Sequence, residues 1–83
     1  MISPSQMKAS RIFLGWEQKD LASASGVSLP TIQRMEKLGM ERSSAGNAEK
    51  VQRALEAAGI EFIGEGDASQ GAGPGVRLKL MNG

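Results

Sequence analysis

The sequence predicts a mainly helical fold: a four-helix domain containing a helix-turn-helix, followed by a C-terminal two-stranded β-hairpin. Three observations predict it. Apolar residues recur at three- and four-residue spacing up to Ala58, glycines and good N-caps divide that pattern into four short pieces, and after Gly59 the period changes to two. The expected division is residues 1–59 as the helical domain and 60–83 as the hairpin with a glycine-rich loop.

The first helix is expected to open on a capping box formed by Ser3 and Gln6, with Pro4 in its first turn, and to run to about Leu14, where Gly15 stops it. Met7, Arg11 and Leu14 share one side at helical spacing and should face inward, with Trp16 closing the corner. An inward arginine needs a partner, because an unpaired buried guanidinium costs several kcal/mol. Glu36 is the expected partner, in an architectural pair.

The second and third helices occupy Gln18 to Lys37, QKDLASASGVSLPTIQRMEK. Leu21 and Ala22 lie on the inner side of the second, roughly Gln18 to Ser25, and small Ala22 allows the third to cross it closely. Gly26 makes the reversal at positive φ, which costs a glycine little. Ser28 is the expected N-cap of the third helix, Leu29 to Leu38, with Pro30 in its first turn and Gly39 after its end. Val27, Ile32 and Met35 supply its inner side. Taken singly these residues make an ordinary helical hairpin. Together they make a helix-turn-helix of the kind that binds DNA.

GMERSSAG is expected to be a polar loop, with Asn47 as N-cap of a fourth helix whose inner side is Val51, Ala54, Leu55 and Ala58. Beyond Gly59, IEFI and VRLKL read as strands, the second placing Val76, Leu78 and Leu80 on one face and Arg77 and Lys79 on the other. The segment between them, GEGDASQGAGPG, reads as a flexible connection. It lacks the GKS or GKT ending of a phosphate-binding loop and opens no helix.

A two-stranded hairpin has one apolar face to cover and two open edges. Glu61 to Ile63 and Val76 to Leu80 are therefore expected to build or support a homodimer interface through an intermolecular sheet. The alternative is that the hairpin folds back on its own helices.

Composition narrows the function. The 83 residues suit one small, mostly aliphatic core, with one Trp, two Phe and no Tyr. The absence of Cys and His excludes disulfides, thiolate chemistry, imidazole catalysis and the usual zinc sites, so no metal, cofactor or catalytic residue is expected and the chain is read as no enzyme. No apolar run approaches the roughly 20 residues of a membrane span. No signal-peptide pattern is present in MISPSQMK, and a cytoplasmic location is expected. Net charge is only +1, low for a nucleic-acid binder, but residues 1–60 hold eight Lys/Arg against six Asp/Glu while 61–83 hold two against three.

The stretch RIFLGWEQKDLASASGVSLPTIQRME resembles the helix-turn-helix signature of the phage-repressor/Cro-like (XRE) family of transcription regulators, a likeness that extends over about residues 5–58. The residues that carry it are the glycine before Trp16, Gln18, Leu21, Ala22, Gly26, Val27, Ile32 and Glu36. The resemblance implies a repressor-like helical domain that binds double-stranded DNA, with the third helix in the major groove and the second across the backbone. It turns Leu29, Pro30 and Arg34 toward the groove, with Ser28, Thr31 and Gln33 beside them. Arg34 would read guanine, Leu29 or the Thr31 methyl would meet thymine, and Gln33 would read adenine or touch phosphate. Gln18 matches the family's phosphate-binding glutamine, acting with backbone N–H groups there, and Lys37, Arg42, Ser43 and Ser44 are further expected backbone contacts.

Two departures matter: Leu29 and Pro30 replace polar base-reading residues, and Glu17 stands where Ser, Thr or Asn usually caps, its carboxylate suiting the helix dipole but repelling an adjacent phosphate. The resulting expectation is a homodimeric, sequence-specific transcription regulator with no small-molecule ligand or membrane partner. The competing one is a protein-interaction module such as an antitoxin or anti-regulator.

Overall fold

A computed structural model describes residues 2–39, 45–63 and 75–78. The described chain is four helices, α1 Pro4–Leu14, α2 Gln18–Ser25, α3 Leu29–Leu38 and α4 Ala45–Ala57, followed by strands β1 Ile60–Ile63 and β2 Gly75–Leu78.

The expected start of α1 is present in full. The Gln6 backbone N–H donates to Ser3 Oγ at 3.1 Å and the Ser3 N–H to Gln6 Oε1 at 2.8 Å, with Pro4 in the first turn. Gly15 ends the helix at φ 69°, and the Trp16 N–H then bonds the Arg11 carbonyl at 2.8 Å. At the next reversal Gly26 has φ 76°, its N–H bonded to the Ala22 carbonyl at 3.0 Å, and the Val27 N–H donates to Ser25 Oγ at 3.2 Å. Ser28 then caps α3, accepting from the Thr31 N–H.

Helix α4 begins at Ala45, two residues before the expected start, so Asn47 lies inside the first turn and is not the N-cap. Helix propensity does not account for the earlier start, because Gly46 offsets Ala45; asparagine is tolerated in a first turn as well as at an N-cap. The helix stops at Ala57, and Ala58 and Gly59 form the turn into β1, with Gly59 at φ 109°. The expected loop residues Met40 to Ser44, Arg42 among them, lie outside the described residues, as do the glycine-rich segment, Lys79 and Leu80.

Met7, Leu21, Ile32, Met35, Val51 and Leu55 are fully buried, joined by Ile2, Val27, Ala48 and Ile60. Leu14, Trp16, Ala22 and Ala54 close the margin. The core is thus aliphatic and sulfur-rich, drawn from all four helices and the first strand residue.

The strands pair antiparallel within the chain, Ile60 opposite Leu78 and Phe62 opposite Val76. Paired residues share a face, and here Phe62 and Val76 pack against the core, with β2 beside α1 and β1 beside α4. Gln6 fastens this arrangement: its Nε2 donates to the carbonyls of Gly75 (2.9 Å) and Ile63 (3.4 Å), the pair where β1 ends and β2 begins. The hairpin therefore folds back on its own helices through Ile60, Phe62 and Val76, while Leu78 on the same face stays exposed. Opposite that face, Arg77 and Glu61 form an exposed ion pair.

Candidate nucleic-acid interface

Glu36 anchors the site from below. Its side chain is only 4% exposed, so its carboxylate needs donors. Arg11 supplies two in a fork, Nε to Oε2 at 2.6 Å and Nη2 to Oε1 at 2.8 Å, and its Nη1 also donates to the Trp16 carbonyl at 3.2 Å. Gln18 adds a third, Nε2 to Oε1 at 3.1 Å. The pair expected between the first and third helices is present, and it locks α1, α2 and α3 together at one point.

The opposite side of α3 is open. Gln33, Arg34 and Lys37 are exposed, as are Ser28 and, at its margin, Leu29, while Thr31 is half-buried. Ser28 Oγ donates to Thr31 Oγ1 at 2.9 Å, so the two hydroxyls engage each other at the start of the helix. Among the described residues neither Arg34 nor Lys37 has a hydrogen-bond or ion-pair partner. Both guanidinium and ammonium are exposed, their donors free of any described partner.

Leu29, Gln33 and Lys37, spaced four apart, share one flank of α3. That flank forms a wall of an open cleft whose other walls are Lys8, Arg11 and Trp16 from the α1 side and Glu17, Gln18 and Lys19 at the start of α2. Arg34 lies on the next ridge, outside the cleft. The expected site residues thus divide into two groups. Gln18, Leu29, Gln33 and Lys37 meet at the cleft, and Arg34, with Ser28 and Thr31, occupies the remaining outer surface of α3; Arg42 is outside the described residues.

The start of α2 carries a second carboxylate besides the expected one of Glu17. The Glu17 backbone N–H donates to Asp20 Oδ2 at 2.8 Å, which leaves two carboxylates at the helix end where a phosphate was expected. Both residues are exposed, and Lys19 Nζ lies 3.9 Å from Glu17 Oε1. Gln18 also has one of its two amide hydrogens turned to Glu36.

Lys8 and Lys19 do not stand out as site residues in the sequence. A signal for Lys8 existed: it precedes Arg11 by three residues, and on a helix that spacing puts it on the same side as the residue paired to α3. No group of three or more His, Cys, Asp or Glu residues that could hold a metal ion occurs among the described residues. No described helix is long and apolar enough to cross a membrane. No protein-family model and no curated protein matches the sequence.

Proposed function

We propose that this chain is a sequence-specific DNA-binding transcription regulator of the phage-repressor/Cro-like type, cytoplasmic and without catalytic activity, acting as a homodimer. One observation carries the reading: α3 is fixed on its inner side by apolar packing and the Arg11–Glu36 pair, while its outer side exposes Arg34 and Lys37, neither with a partner among the described residues. A rigid helix with free cationic donors on its open side suits the major groove.

In this reading Arg34 spans guanine O6 and N7, Gln33 reads adenine or touches phosphate, and Leu29 meets a thymine methyl. Two copies, joined through the outer edges of their C-terminal strands, place their α3 helices about 34 Å apart on a pseudo-palindromic site. Fluorescence anisotropy on duplexes selected from a random pool tests it. Binding at low salt, with the preference at one position relaxed in Arg34→Ala, is the expected result; no binding to any duplex overturns the reading.

A second reading has support of its own. Net charge is only +1, and Ile12 and Phe13 on α1 are 70% and 51% exposed, an apolar pair suited to a protein partner. An antitoxin or anti-regulator would form a stoichiometric complex with a protein whose activity it blocks and would show no affinity for duplex DNA.

A further inference from the structure

A duplex seated on α3 needs its sugar-phosphate backbone held beside the helix, and the start of α2 is the obvious place from sequence. The structure argues against that place. Glu17 and Asp20 put two exposed carboxylates there against the one ammonium of Lys19, Asp20 bonds the first N–H of the helix end, and one Gln18 amide hydrogen is turned inward to Glu36. A phosphate at that point meets like charge at close range, which the partial positive charge of a helix end offsets only in part.

Across the same cleft the charge is of the other sign. Lys8 stands on the α1 wall and Lys37 on the α3 wall, both exposed and both without an ion-pair partner among the described residues. Arg11, also at this cleft, spends its charge on Glu36, and Lys19 stands within ion-pair distance of Glu17. Among the described residues these two ammonium groups are thus the positive groups left to receive an anion there.

We infer that the DNA backbone is gripped across this cleft by Lys8 and Lys37, and that the start of α2 is a repulsive edge which steers the strand toward them. The inference rests on the DNA-binding reading and assigns it a phosphate contact from α1. An ammonium is a point charge that holds phosphate without reading sequence, so Lys8 contributes affinity and salt dependence and leaves base preference unchanged.

The test is anisotropy of the full chain on a short mixed-sequence duplex across a salt series, comparing the wild type with Lys8→Gln, Lys37→Gln, Glu17→Gln and, as a charge-matched control, Lys50→Gln on the exposed side of α4. Removing one phosphate-binding ammonium lowers the slope of log affinity against log salt by about 0.9 per bound copy, so between roughly 50 and 200 mM salt Lys8→Gln and Lys37→Gln should each lose about 3.5-fold less affinity than the wild type for one bound copy, and about 12-fold less for a bound dimer. Lys50→Gln should keep the wild-type slope, and Glu17→Gln should bind a few-fold more tightly, on the order of one such ammonium's effect. A Lys8→Gln slope equal to that of Lys50→Gln overturns the inference, as does a Glu17→Gln protein that binds no more tightly than the wild type. A wild type that binds no duplex at the lowest salt removes the DNA reading itself, which is a different outcome from either.

Discussion

Helix α3 treats charge in opposite ways on its two sides. Inward, Glu36 is nearly excluded from water and is met by three donors, two from Arg11 and one from Gln18. Outward, Arg34 and Lys37 are exposed and have no partner among the described residues. The fold satisfies charge where burial makes an unpaired group expensive and leaves it open where water makes it cheap. The inner pair therefore fixes how the helix sits, and the outer cations are free to bind something else.

The strongest test of that contrast removes the inner pair. Arg11→Ala leaves a buried carboxylate with Gln18 alone and should cost about 3–5 kcal/mol in urea denaturation. Replacing both partners, Arg11→Met with Glu36→Leu, should restore most of that loss, because the charge and its desolvation disappear together. A single variant costing under about 1 kcal/mol would mean that the pair is not the lock described here.

Gly26→Ala should cost less, about 1–2 kcal/mol of backbone strain. At φ 76° an added Cβ meets no atom within 4 Å, so conformation and not collision is the cause. A thermal melt unchanged from the wild type would show that the turn has another way to close. Smallest is Arg34→Ala, which should leave stability within about 0.5 kcal/mol, since the side chain is exposed and touches no described partner. If that variant unfolds readily, the outer side of α3 is structural after all.

Much of this was legible in the sequence because it is local. Ser3 with Gln6, Gly15, Gly26 and Ser28 decide their own backbone geometry within a few residues, so α1, α2 and α3 came out where the residue types put them. The Arg11–Glu36 pair was legible for another reason: a charge on an inward position must find its opposite. Asn47 misled because a good cap residue also tolerates the first turn of a helix, and nothing local chooses between the two.

The hairpin's packing was not legible, since a strand's alternation shows that it has an apolar face but not which surface covers it. That answer came from Gln6, whose amide reaches across 69 positions of sequence to Gly75. The cleft was hidden for the same reason: Lys8, Gln18 and Lys37 become neighbours only once three helices have packed. The residue pattern suggested a phosphate at the start of α2. The carboxylates of Glu17 and Asp20 argue for placing it across the cleft.

What the outer side of α3 meets decides whether this protein reads DNA. Selection of bound duplexes from a random pool, carried out in parallel with the wild type and Arg34→Ala, measures that directly. A pseudo-palindromic consensus is expected for the wild type, with discrimination at one base position per half-site reduced by about 1–3 kcal/mol in the variant. No enrichment, or the same consensus with and without Arg34, would rule that role out.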